Sequence, residues 1–245
     1  MSITIREIVK PEYPLLEDFL YHAIFIPPGV EMQPRDVIFK PEIYIYVKDF
    51  GGKDDCGVVA ESDGKITGAA WTRIIPAFGH IDDRTPELAI SVLPEHRGQG
   101  IGTMLMKRLL DLLLERGYRR TSLSVQKENQ VVRFYERLGY KITCEKLDNA
   151  GHCDYIMVKD LKSDLTQIPG IGKKMAEHLI RTGYPTIESL KGQVPEEIYA
   201  KHCSLQGAGN QSCKCVLYCY RLAVSYADHD GQLPPDKQNW GDWKD

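Results

Sequence analysis

The sequence predicts a mixed α/β domain followed by a smaller helical one, and three observations carry that reading. Over residues 1–161, apolar runs of strand length alternate with runs of helical period. A glycine-rich turn joins one of those strands to the longest amphipathic run, the order of a strand–turn–helix unit. Beyond Leu161, strand-like alternation stops and short helical runs separated by Gly and Pro take over. The boundary is expected at Lys162–Ser163, giving domains over 1–161 and 162–245. A chain of 245 residues suits one medium domain and one small one.

The elements follow in order. Ser2 to Val9 alternates and reads as a strand, and Tyr13 to Ala23 has helical spacing through Leu15, Phe19 and His22. FIPPGVEMQPRD (25–36) is proline-rich and reads as an irregular loop. Cys56 to Ser62 and Lys65 to Ile74 are two strands whose connecting Asp63–Gly64 pair is a strong hairpin signal. Leu88 to Leu93 (LAISVL) is a buried strand. Ile101 to Arg116 is the clearest helix, with Ile101, Leu105, Leu109, Leu112 and Leu113 on one face and Gly117 ending it. Thr121 to Val125 is a strand. Asn129 opens a second helix that carries Val131, Phe134, Tyr135 and Leu138 on one face and ends at Gly139. Lys141 to Lys146 and Tyr155 to Lys159 are strands joined by the turn DNAGH.

Composition excludes some function classes. Apolar residues make up 42% and charged residues 27%, as in an ordinary globular protein. A net charge of −3 gives no bulk argument for nucleic acid or an anionic membrane. No uncharged apolar run approaches the ~20 residues that span a bilayer. MSITIREIVKPEY is charged too early for a signal peptide. The expected location is therefore cytoplasmic, and in a reducing compartment the seven cysteines should be thiols or ligands rather than bridges.

The stretch EHRGQGIGTML (95–105) raises a physical question, because glycine weakens a helix by roughly 1 kcal/mol relative to alanine. The first turn of a helix leaves backbone N–H groups without internal partners and carries a partial positive charge. Such a terminus holds anions. Glycines at 98, 100 and 102 remove side chains that would keep a polyanion away, Arg97 adds charge, and a pyrophosphate is the expected ligand. The order G-x-G-x-G after several strands fails the dinucleotide fingerprint, and no lysine completes a P-loop.

RGQGIG after LAISVLPEH resembles the acetyl-CoA pyrophosphate loop of the GNAT N-acetyltransferases, pattern [RQ]-x-x-G-x-[GA], with Arg97, Gly100 and Gly102 at its fixed positions. ENQVVRFYERLGYKI (128–142) resembles that family's later signature through Asn129, Tyr135, Gly139 and Tyr140. The resemblance covers residues 2–160 and is weakest over 24–55. It implies a GNAT fold, a mixed, largely antiparallel twisted sheet flanked by helices, with acetyl-CoA as co-substrate. It also implies that the pantetheine lies along a splayed strand, here Ala89–Leu93, pairing with the main chain of Val92 and Leu93. The N–H groups of Arg97, Gly98, Gln99, Gly100, Ile101, Gly102 and Thr103 would hold the pyrophosphate, and Asn129 would touch the cofactor. Tyr135 would protonate the leaving thiolate as general acid, and Glu87 would take the amine proton as base. His80, Asp82 and Asp83 would line an acceptor pocket that favours a cationic amine. Each residue also has a structural reading: Asn129 as an N-cap, Tyr135 as core, Glu87 as an exposed strand end, and His80 as a salt-linked surface residue. No covalent cysteine is required.

In the second part, IPGIGKKMAEHL resembles the hairpin of helix-hairpin-helix domains, in which a Gly–Ile–Gly turn offers N–H groups to a DNA phosphate. Gly170, Ile171, Gly172, Lys173 and Lys174 match. The segment through CVLYCYRLAVSYAD and NWGDWKD resembles the small bacterial pathogenicity-locus (mitomycin-resistance-like) family built on that hairpin. Acids and bases are roughly balanced there, so the electrostatic footprint of a nucleic-acid binder is missing. Cys203, Cys213, Cys215, Cys219 and His202 raise a metal reading. An apolar helix with buried cysteines is favoured over it, and no metal is expected. Trp240 and Trp243 are expected to dock on the domain.

The resulting expectation is acetyl transfer from acetyl-CoA to a small-molecule or protein amine. The rival is an inactive acyl-CoA-binding module acting on a partner or on DNA through the hairpin. A homodimer accords with the family, although no interface is legible.

Overall fold

Asp63 and Gly64 both have positive φ, 51° and 76°, and reverse the chain at the hairpin that the sequence marks. In the computed structural model, which describes residues 3–27, 29–147, 151, 153–205 and 213–244, that hairpin joins the second and third of seven strands. The strands are β1 (Ile3–Glu7), β2 (Cys56–Ser62), β3 (Lys65–Arg73), β4 (Glu87–Val92), β5 (Arg120–Gln126), β6 (Lys141–Leu147) and β7 (Cys153–Asp160). They form one sheet in the order β1-β2-β3-β4-β5-β7-β6. Every neighbouring pair is antiparallel except β4 and β5, which run parallel and meet at a single register position, Glu87 opposite Ser122.

The helices sit where the chain must cross. α1 (Leu16–Ala23) and α2 (Pro41–Tyr44) lie between β1 and β2, α3 (Ile101–Glu115) between β4 and β5, and α4 (Val132–Arg137) between β5 and β6. α1 starts later than its periodicity implies. Residues Lys10–Leu15 form a 3₁₀ turn containing Pro11 and Pro14, and a proline lacks the N–H that an α-helix interior needs. Leu16, Phe19 and Leu20 of α1 pack with Ile8, Val37, Ile38, Val47, Val59, Ala69 and Trp71. The α3 stripe is buried as its spacing implies, with Met106 added: Ile101, Leu105, Met106 and Leu109 are each 1% exposed or less. A side chain at Gly68 of β3 would meet Leu105 Cδ1 at 3.0 Å, so the absence of one lets α3 lie close to the sheet.

Two further differences from the sequence reading have local causes. Regular helix in α4 begins at Val132 rather than Asn129, because the Asn129 side chain accepts the N–H of Val131 at 3.0 Å and makes a turn first. Arg35–Phe39 and α2 interrupt a stretch with no helical period. The DNAGH turn except Gly151, and Ser2, Pro28 and Asp245, lie outside the described residues.

The chain divides into two compact units, Met1–Leu110 with Tyr118–Leu161, and Asp111–Gly117 with Lys162–Asp245. Beyond Leu161 the described residues hold helices and no strand: α5 (Lys173–Arg181), α6 (Ile187–Leu190), α7 (Pro195–Leu205) and α8 (Lys214–Asp228). Their core includes Leu165, Ile168, Ile171, Leu179, Leu190, Ile198, Tyr220 and Leu222. Trp243 packs against that core, as expected, whereas Trp240 stays 41% exposed. Among the described residues no helix is long and apolar enough to cross a membrane.

Candidate active site

The glycine turn takes its shape from two residues in the left-handed region. Gly98 has φ 76° and Gly100 φ 80°, conformations that favour residues without a Cβ. Side chains built at either would meet nothing within 4 Å, so the turn faces open space. Arg97 N–H donates to Pro94 O, and Thr103 and Met104 N–H donate to Gly100 O. Between them, the amides of Gly98, Gln99, Gly100, Ile101 and Gly102 have no acceptor among the described residues. Five consecutive amides without a protein acceptor, at the N-terminus of a 15-residue helix, form a row of donors with a favourable dipole for an anion. Arg97 contributes differently from expectation. Its guanidinium folds back, with Nε on Val92 O at 2.9 Å and Nη2 on His22 O at 3.2 Å, and so ties the turn to the ends of β4 and α1.

This turn follows the carboxyl end of β4, where β4 and β5 part. Ser122 N–H and the Thr121 hydroxyl both donate to Pro86 O, at 3.1 and 2.8 Å, which holds the strands together at their start. Past Glu87 and Ser122 no further pairing joins them. In α/β sheets, ligands enter at such a parting beyond strand carboxyl ends. Leu93 does not face it: its N–H donates to Thr67 O at 2.9 Å and its C=O accepts from His96 N–H. Antiparallel alternation with β3 then turns the main-chain groups of Ile90 and Val92 toward the gap, with Val92 O already taken by Arg97. Of the two main-chain partners expected for pantetheine, only Val92 is suitably turned.

Glu87 is 2% exposed and is not a solvated strand end. Its Oε1 accepts from the Tyr46 hydroxyl in a short hydrogen bond and from Gly79 N–H at 2.7 Å, while Oε2 is buried with no partner. Burial raises its pKa above the ordinary 4.5, opposed by the Tyr46 and Gly79 hydrogen bonds and by the charges of His80 and Lys146. Tyr46 is pushed well above 10 by burial and by the Glu87 charge, so its hydroxyl stays protonated. The carbonyl of Tyr46 accepts the Trp71 indole N–H at 2.9 Å, and Arg73 Nη1 donates to Ile45 O at 2.9 Å, fixing the segment that carries Tyr46. A Cβ on Gly79 would lie 2.7 Å from Glu87 Oε1 and 2.8 Å from Ser124 N, so only glycine lets this loop reach both strands.

Tyr135 is 8% exposed on α4, with its ring 5.9 Å from Tyr140 and 5.4 Å from Phe134. Phe134 lies against Gly102, its Cζ 3.7 Å from where a Cβ would stand, which brings α4 beside the first turn of α3. Burial raises the Tyr135 pKa, so it remains a proton donor at neutral pH.

The expected acceptor pocket separates. His80 sits in the Glu87 neighbourhood with a buried, unpartnered Nδ1, and is not a salt-linked surface residue. Asp82 serves its own loop. Its Oδ1 accepts Arg84 N–H at 2.9 Å and the Thr85 hydroxyl at 2.8 Å, which lowers its pKa. Asp83 is exposed. Sequence reasoning missed Tyr46, Gly79 and the pair Ser124–Asp154, joined at 3.0 Å across β5 and β7. In the second unit, Gly170 has φ 78°, Ile171 is buried with its N–H on Ile168 O, and Gly172 precedes α5 with Lys173 and Lys174 exposed.

A family model described as "Acetyltransferase (GNAT) family" matches residues 12–140, and one described as "Cdd1: Pathogenicity locus" matches residues 159–245. Among solved structures, the ribosomal-protein-S18-alanine N-acetyltransferase from Escherichia coli is 20% identical over 65% of this chain and 94% of that one, TM-score 0.48. An N-acetyltransferase from Staphylococcus aureus Mu50 is 20% identical over 66% and 100%, TM-score 0.47. The structure of yncA from Salmonella typhimurium with its cofactor acetyl-CoA is 21% identical over 66% and 95%, TM-score 0.47.

Proposed function

The chain belongs to the acetyltransferase (GNAT) family, and from that premise we propose that residues 1–161 transfer the acetyl group of acetyl-CoA to an amine, with 162–245 a second module. Acetyl-CoA supplies an activated thioester. The row of amides from Gly98 to Gly102, without protein acceptors at a helix N-terminus where Gly98 and Gly100 face space, carries this reading: it fits the pyrophosphate and has no other employment in the fold. Arg97 holds the turn to β4 rather than reaching for phosphate, and the main chain of Val92 offers the strand edge.

Glu87 is the base. Burial raises its proton affinity, and the free Oε2 can take a proton from the incoming amine or from a water between them. Tyr46 and Gly79 orient the carboxylate through Oε1 and leave Oε2 for that purpose. Tyr135 is the acid, kept protonated by burial, and returns a proton to the departing sulfur. Asn129 caps its own turn and touches the cofactor only through its remaining amide hydrogens.

Calorimetric titration with acetyl-CoA tests the reading, using the parent and Gly102→Glu. Gly102 is helical and has room for a side chain, so this variant sets a carboxylate among the open amides without backbone strain. Binding by the parent and none by a variant with an unchanged melting curve is the expected result. A folded parent that does not bind acetyl-CoA sinks the proposal.

A further inference from the structure

Three thiols that the proposed reaction does not use gather where α7 ends and α8 begins. Cys203 lies in the last turn of α7, Cys213 is the N-cap of α8, and Cys215 is in its first turn. Cys213 is exposed, and its Sγ accepts the N–H of Cys215 at 3.4 Å. The hydroxyl of Tyr199, one turn before Cys203, hydrogen-bonds Cys203 and feels the charge of Cys213 and Cys215. One side chain on α7 therefore senses all three sulfurs.

The two thiols of the C-K-C run are not equivalent. The backbone N–H and thiol of Cys215 both donate to Cys213 and lower its pKa, as an N-terminal helix position does for a thiolate. The same partnership raises Cys215. Cys219, a buried α8 residue, is pushed up to about 11 by burial and takes no part. Two peptide units bent at a helical Lys214 keep the Cα atoms of 213 and 215 under about 7 Å apart, within the span of a disulfide. Among the described residues, no three His, Cys, Asp or Glu side chains are placed to hold a metal ion.

We propose that Cys213 and Cys215 form a thiol–disulfide exchange site, with Cys213 as attacking thiolate, Cys215 as resolving thiol and a low-molecular-weight disulfide as oxidant. The Cys213 thiolate attacks one sulfur of RS–SR, forming Cys213–S–S–R and releasing RS⁻. Cys215, on losing its proton, attacks the Cys213 sulfur and releases the second RS⁻. Two protein thiols become one disulfide, one RS–SR becomes two RSH, and the two protein protons end on the released thiols.

The full-length chain is equilibrated with reduced and oxidised glutathione, quenched with an alkylating agent and digested with trypsin. Cleavage after Lys214 separates Cys213, in peptide 202–214, from Cys215, in peptide 215–221. The expected product is those two peptides linked with the loss of two hydrogens. The link should survive Cys203→Ser and Cys219→Ser and vanish in Cys213→Ser, a substitution that keeps a good N-cap. With iodoacetamide at neutral pH, Cys213 should react about tenfold faster than Cys203. A stable glutathione adduct without the link, a link that requires Cys203 or Cys219, or stoichiometric zinc released by a chelator each overturns the proposal.

Discussion

Two turns in this protein share a sequence signature and differ in what surrounds them. Gly98–Gly102 and Gly170–Gly172 each place Gly-x-Gly ahead of a helix, and each uses a positive-φ glycine with a buried isoleucine in the motif. In the first, the five amides run unbroken and the turn follows a strand that has parted from its neighbour. In the second, Ile171 N–H is spent on Ile168 O, which interrupts the row, and the turn is anchored in an all-helical core. A glycine turn is thus a supply of donors, and the fold around it decides whether a ligand can use them. The first turn also has a proton donor nearby on α4 and a buried carboxylate at the foot of the parted strands. Among the described residues beyond Leu161 no carboxylate is buried, and the buried polar side chains are those of Thr182, His202 and Ser225.

The largest expected effect is on binding. Gly102→Glu should weaken acetyl-CoA by at least ~100-fold, since a like charge set against a phosphate costs several kcal/mol. Gly172→Glu, at a position where a Cβ meets no neighbour within 4 Å, should leave that affinity unchanged. Calorimetry on the pair decides, and equal losses in both would dissolve the distinction between the turns.

Chemistry is the next level. Tyr135→Phe should lower turnover by about 100-fold with acetyl-CoA affinity intact, the usual worth of a positioned proton donor. Free-thiol release, measured on an amine the parent acetylates, reads this. A variant that turns over normally would favour the rival in which the domain only senses acyl-CoA. Glu87→Gln should cost a comparable factor and remove the acid limb of the kcat/KM profile, because the amide cannot accept the amine proton. Persistence of that limb in the variant would place the base elsewhere.

How much of this was legible from sequence depends on the range of the interaction. The α3 stripe, the Asp63–Gly64 hairpin and the glycine turn are written in neighbouring residues, so periodicity and turn chemistry expose them. Glu87 was legible as a strand-end carboxylate, yet its burial was not, because Tyr46 and Gly79 reach it from segments 41 and 8 residues away. Tyr46 lies in a stretch with no helical period, and besides its own turn, where its N–H donates to Ile43 O, it is held by Trp71 and Arg73 of β3. Gly79 looks like a loop glycine until the Leu123 and Ser124 backbone appears 2.8 Å from its would-be Cβ. Asp82 shows the reverse: its acidic run suggests a substrate-facing carboxylate, while the hydrogen bonds of its Oδ1 are to Arg84 N–H and the Thr85 hydroxyl, within its own loop.

The smallest expected effect probes that non-local support. Tyr46→Phe removes the hydroxyl that donates to Glu87 Oε1 and leaves the Trp71 hydrogen bond, which uses only the Tyr46 carbonyl. That hydroxyl favours the ionised carboxylate, so losing it should raise the Glu87 pKa beyond the elevation that burial already imposes. The acid limb of kcat/KM should move to higher pH, and at neutral pH the rate should fall by about tenfold or less, with the plateau at high pH largely kept. Stability has the matching sign. A carboxyl whose folded pKa lies above its ordinary 4.5 binds its proton more tightly in the native state, so stability falls as pH rises from that value through the folded pKa. In Tyr46→Phe this window should extend further upward. Paired pH–rate and pH–melting profiles of parent and variant measure both shifts. If neither profile moves, Tyr46 only fills space, and the carboxylate that distinguishes the first turn from the second is tuned by Gly79 and burial alone.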